Sequence, residues 1–183
     1  MPKTEFAHAE EVRLIAEKLI ALFHPHLRGI RIEYVFLSEP PMSQGRALAG
    51  RARKVSGLNA YLATPDFEGP GESEPFFVIE ITQPTWDKSS FRWRVALVDH
   101  ELKHCGVDEL SGDLYIVPHD EEEFDDIVER HGAWEPGLDS FAKKLAHGQA
   151  EPIDIETVFA SVMTYGAIEK TKRTPARIDL RWS

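Results

Sequence analysis

Cysteine is almost missing from this chain: Cys105 is the single one among 183 residues. One thiol excludes an intramolecular disulfide and any zinc module built on four cysteines, so a bound metal would have to rest mainly on histidine and carboxylate. Long apolar runs are missing too. No stretch approaches the roughly 20 residues of a bilayer-spanning helix, and the opening MPKTEFAHAEEVR lacks the apolar core and small-residue cleavage site of a secretory signal. The expectation is a cytoplasmic protein with no membrane segment. Positive charge is in deficit, with 21 Lys and Arg against 31 Asp and Glu and a formal net charge of -10. Phosphate backbones are bound through clustered Lys and Arg, so nucleic acid is disfavoured as the main partner, although GRALAGRARK (45–54) and EKTKRTPARIDLR (169–181) are locally basic. GRALAGRA also lacks the Lys-Ser/Thr of a P-loop and is no nucleotide cradle.

What is present belongs to a soluble folded domain: 42% apolar and 28% charged residues, a composition far from disordered or fibrous chains. The length suits one domain with a real core. Residues 1–150 are expected to carry the main unit, with 151–183 a helix and basic tail packed on it or extending it. Val12, Ile15, Ala16, Leu19, Ile20 and Phe23 recur at helical spacing over residues 5–24, and Pro25 stops the pattern. GIRIEYVFLS reads as a strand, RKVSGLNAYLA (53–63) as a second, and FFVIEITQ (76–83) as a third that could be the edge accepting an extended peptide. PPMSQGRALAG, TPDFEGPGESEP and PTWDKSS read as loops or turns. DLYIVP is a short strand, followed by helical patterns at about 121–131, 138–147 and 154–165. The fold class expected is α+β, a small twisted mixed sheet with the N-terminal helix and the 91–105 helix packed on it and further helices C-terminal to them.

The segment VALVDHELKHC (95–105) carries the chemistry. Serine 89 or 90 can cap a helix, and neither Pro nor Gly interrupts residues 91–105. Phe91, Val95, Val98, Leu102 and Cys105 then form one apolar stripe, while His100 and His104 stand one turn apart on the other side, able to reach a single ion. Glu101 lies about 100° round from His100. There it can take a proton from zinc-activated water and later pass one to a leaving amine. Neutral imidazole is a good zinc ligand, and catalytic zinc takes three protein ligands. Against this stands the ordinary reading of HELKH as a chance pair of solvated helix histidines. The buried helix back and the inward position of Leu102 favour the metal site.

A third ligand must come from elsewhere. The metzincin continuation would need glycine and histidine where Val107 and Leu110 stand. The nearest downstream histidine is His119 in YIVPHDEEEF, at a strand end and before a helix capped by Asp120 with Glu123 three residues on. Glu121 and Glu122 suit helix capping and a solvated face. His119 is the favoured ligand, and Glu123 or Asp120 are its rivals. His24 and His26 are expected to be solvated, His131 to be a cation in a last helical turn before Gly132, and Cys105 to be packing. Tyr115, Tyr165 and Arg130 are candidate oxyanion stabilisers.

WRVALVDHELKHC followed by PHDEEEFDDIVERHGAW resembles the phage metallopeptidases, small zincin-like proteins related in plan to the SprT-like proteases, over roughly residues 28–135. The resemblance implies a zinc peptidase with His100, His104 and His119 as ligands and Glu101 as general base. SprT-like proteins often carry a cysteine-based zinc ribbon downstream, and this chain has no cysteines for one. The leading expectation is an endopeptidase acting on peptide or protein substrates with Zn2+. The alternative from another class is a catalytically silent protein of zincin shape that binds a host or phage partner and keeps zinc for structure, suggested by the acidic composition and the unassigned C-terminal region.

Overall fold

The computed structural model describes residues 4–43, 45–63, 74–119, 136–147 and 154–173. In chain order these are β1 (Phe6–His8), α1 (Glu10–Leu22), a 3-10 turn (Pro25–Leu27), β2 (Ile32–Leu37), the short pair β3 (Met42–Ser43) and β4 (Arg46–Ala47), β5 (Gly50–Val55), α2 (Gly57–Leu62), β6 (Phe76–Thr82), α3 (Gln83–Lys88), α4 (Phe91–Lys103), β7 (Cys105–Val107), β8 (Leu114–Ile116), α5 (Pro136–His147), α6 (Ile155–Val158) and α7 (Ala160–Arg173).

The main sheet has the order β1-β2-β6-β5. β2 and β6 are parallel, and the two outer strands run antiparallel to their neighbours, so the sheet is mixed and the fold α+β. Register places Tyr34 beside Ile79 and Phe36 beside Ile81, with Ala52 beside Ile79 from the other flank. Side chains alternate along a strand, so these residues share one face. That face meets Val12, Ile15, Ala16 and Leu19 of α1 and Val95, Val98 and Leu102 of α4, which together make the core. Spacings of three and four on both helices are what let one stripe of each reach the sheet. β6, interior to the sheet, carries Glu80 on the opposite face, where it is buried under Arg51 and Arg53 of β5 at 2.6 and 3.1 Å.

The C-terminal segment adds to the same core. Ile155, Phe159 and Val162 are buried in it, and Phe159 meets Phe91 of α4 edge to face at 6.1 Å between ring centres. Gly166 of α7 lies against the Glu11 carboxylate, which also accepts from Trp86 Nε1 (3.2 Å) and Arg94 Nη1 (3.0 Å). One carboxylate thus ties α1, α3, α4 and α7 together.

Several expectations need correction. The second strand is Gly50–Val55, and the chain then turns through Gly57 at φ +58 into α2, because a positive φ breaks the ladder that RKVSGLNAYLA suggested. β6 is interior, since β5 covers the flank that β2 leaves, so the third strand is no edge. PTWDKSS is mostly the helix α3, which starts at Gln83 with Pro84 in its first turn and whose Trp86 is buried. The N-terminal helix begins at Glu10, because residues 6–8 pair with β2 instead. PPMSQGRALAG contains the two-stranded β3-β4 pair.

Candidate metal centre

α4 starts where Ser90 Oγ accepts the Trp93 N–H at 3.3 Å. It ends at Lys103, two residues earlier than its apolar stripe suggests, because Cys105 already pairs with Ile116. His104 is the C-cap and keeps helical dihedrals (φ -71, ψ -16), so His100 and His104 remain one turn apart. Beyond it β7 and β8 form a hairpin whose turn is held by Asp108: its Oδ1 accepts from Leu110 N–H (3.0 Å) and Ser111 N–H (2.8 Å). Gly112 takes φ +76, which a side chain would oppose. The hairpin returns residues 117–119 to the end of α4.

There Val117 N–H donates to the His104 carbonyl at 2.8 Å, and His104 Nδ1–H donates to the Val117 carbonyl at 2.7 Å. A carbonyl only accepts, so Nδ1 of His104 carries a proton, and in the neutral ring Nε2 is then the nitrogen with the lone pair. His100 Nε2 lies 3.2 Å from His104 Nε2 and 3.1 Å from His119 Nε2. The ligating atoms of all three residues fall within 4.8 Å of one another. An ion bound tetrahedrally to nitrogen at about 2.0–2.1 Å spaces its ligands roughly 3.3–3.4 Å apart. The trio therefore fits a single metal ion with little movement. Partial desolvation and then the neighbouring His104 and His119 lower the pKa of His100, against the pull of Asp99, which favours the neutral ring that ligates.

Glu101 points elsewhere on the helix and is 4% exposed. Burial pushes its carboxyl up to about 7, against the pull of the His104 imidazole and a hydrogen bond from the Ala52 backbone. Its Oε1 would stand 2.7 Å from a Cβ at Gly50, so the carboxyl rests on bare backbone of β5. Cys105 is fully buried and its Sγ–H donates to the Glu101 carbonyl at 3.6 Å, with burial pushing the thiol up to about 12. It is a packing residue.

His24 is buried, contrary to expectation: its Nε2 lies 2.6 Å from Asp99 Oδ1. His26 is exposed but donates from Nε2 to the Cys105 carbonyl at 3.2 Å. Two residues around Pro25 thus grip α4 and β7 at positions that flank HELKH, a role the sequence hid because neither partner is near in the chain. Tyr115 is half exposed, with its ring pressed on Gly106, and Tyr165 lies on α7. Asp120, Glu121, Glu122, Glu123, Arg130 and His131 lie outside the described residues.

Comparison with known families gives one match. Residues 4–146 fit the family described as "Putative phage metallopeptidase", and the chain belongs to that family. The match extends the resemblance read from the sequence at both ends and implies a metal. No curated protein and no solved structure matches the chain. No helix among the described residues is long and apolar enough to cross a membrane.

Proposed function

We propose that the protein is a zinc-dependent endopeptidase of zincin type, with His100, His104 and His119 as the metal ligands and Glu101 as general base. The observation that carries this reading is the convergence of three Nε2 atoms at ligand spacing, with one ring fixed in the ligating tautomer by the Val117 carbonyl. Three imidazole nitrogens without thiolate suit zinc in its catalytic rather than its structural form. A zinc ion there would supply Lewis acidity, polarising a peptide carbonyl and acidifying water.

The chain's own residues do the rest. Glu101 takes the proton on a carboxylate oxygen and returns it to the leaving amine nitrogen. Its carboxyl sits near pH 7 when only burial and its protein neighbours act on it. A divalent cation nearby would draw it toward the ionised, proton-accepting form. The Val117 carbonyl holds the His104 ring in place.

Substrate capture falls to β5 in place of β6. Thr82 N–H donates to the Ala49 carbonyl at 2.9 Å, so with Gly50 opposite Ile81 the odd residues bond to β6. Gly50 and Lys54 then turn their backbone groups off the free side of β5, where an extended peptide can pair, while the Ala52 N–H meets the Glu101 carboxyl. The test is hydrolysis of an unfolded protein by the zinc-loaded chain and by Glu101→Gln. The variant should keep zinc and lose roughly 10²–10⁴ in rate. A Glu101→Gln protein as active as the parent, or a zinc-loaded parent that cleaves no peptide of a random library, would contradict the proposal.

A further inference from the structure

The geometry points to Gly50 as a positioning residue: its missing side chain is the seat of the Glu101 carboxyl, and it sets where the general base stands. This rests on the reading of Glu101 given above. Glycine weakens a strand, and inside one it usually marks a close approach of other atoms. Gly50 opens β5 yet is not among the glycines with positive φ, which among the described residues are Gly29, Gly45, Gly57 and Gly112. Backbone conformation therefore does not demand glycine here, and space does. A Cβ at this position would lie 2.7 Å from Glu101 Oε1, 3.1 Å from its Cδ and 3.1 Å from Ile81 Cδ1. The nearest atoms are the ends of side chains, so an added methyl group would move the Glu101 carboxyl more readily than it would move backbone.

Two further contacts fix the same seat. The Ala52 backbone N–H hydrogen-bonds the carboxyl from two residues along β5, on the same face as Gly50, and Leu102, next to Glu101, is buried in the core of α4 and the sheet. Gly50 and Ala52 thus form a two-residue cradle on the strand that the substrate would join. The carboxyl is seated by the strand and the His104 imidazole by Val117 after β8, and no histidine is among the atoms nearest a Cβ at Gly50, so Gly50 can be altered without touching a metal ligand.

The test compares zinc-loaded wild type, Gly50→Ala, Glu101→Asp and the double variant by crystal structure, zinc dissociation constant and peptide hydrolysis. Expected for Gly50→Ala is a carboxyl displaced by about 1 Å or more, with kcat down roughly 10- to 100-fold. KM and zinc affinity should stay within about twofold, because the ligands are untouched. Glu101→Asp withdraws the carboxyl by one methylene, so in that background Gly50→Ala should cost less than about twofold, a strong non-additivity. An unmoved carboxyl in Gly50→Ala, an unchanged kcat, or an equal loss in the aspartate background would overturn the inference. Should the wild type hydrolyse nothing, the peptidase reading falls and the carboxyl positions alone decide this one. Should Gly50→Ala fail to fold, recovery of folding in the double variant supports it, and equal unfolding refutes it.

Discussion

His104 and Val117 hold each other twice, carbonyl to N–H in one direction and ring Nδ1–H to carbonyl in the other. The pairing does two things at once: it closes the β7-β8 hairpin onto the end of α4, and it selects the ring tautomer whose Nε2 can ligate. Val117→Pro deletes the N–H and its bond to His104. Zinc affinity should fall roughly 10- to 100-fold, as for other supports of a ligating histidine, and titration with a zinc-buffered chelator reads it. Unchanged affinity would show that the hairpin does not hold the ligand.

The His24–Asp99 contact is the second support of the pentapeptide. His24→Ala removes a buried ring and its hydrogen bond, and should lower stability by about 1–3 kcal/mol. A double-mutant cycle with Asp99→Ala should give a coupling energy of about 0.5 kcal/mol or more, measured by urea denaturation. Additive effects would mean that the 2.6 Å contact carries no stability.

Glu80 is a buried charge in the interior strand, and two arginines cover it. Both arginines are partly exposed, so their own loss of a partner is softened by solvent. Glu80→Ala should cost about 2–3 kcal/mol, below the figure for a fully buried pair, while Glu80→Gln keeps acceptor capacity and should cost less. Equal losses in thermal or urea unfolding would assign the effect to packing instead.

The thiol offers a pH test. Burial raises Cys105 to about 12 in the folded chain, against about 8.5 in an unfolded one. The folded state therefore disfavours the thiolate: its contribution to stability is fully present below about pH 8.5 and is lost as pH rises toward the folded value. A thiol reagent at pH 8 should leave the native protein unlabelled and label it completely in denaturant. Rapid native labelling would show that Cys105 is not sealed in the core.

What could be read in the sequence followed periodicity and local chemistry. The stripe of α4, the cap at Ser90, the apolar run of β6 and the DLYIVP strand are decided by neighbours within a few residues, and each is found in place. What escaped was set at long range. Whether β6 is an edge depends on which strand lies beside it, and that strand comes earlier in the chain. His24 and His26 have their partners 75 and 79 residues away; His26 is exposed as its setting around Pro25 suggests, and His24 is buried against it. Gly50 carried a legible signal, a glycine opening an extended segment, but the atom it makes room for belongs to another element. Gly57 was legible too, since it interrupts RKVSGLNAYLA at the point where strand gives way to helix.

The claim on which the rest depends is that His100, His104 and His119 together hold one metal ion. Zinc titration of the full chain, followed by calorimetry and elemental analysis, tests it directly when repeated on His100→Ala, His104→Ala and His119→Ala. The account predicts one zinc per wild-type chain and a large loss of affinity in each of the three variants. Wild-type affinity in any one of them, His119→Ala above all, would contradict it.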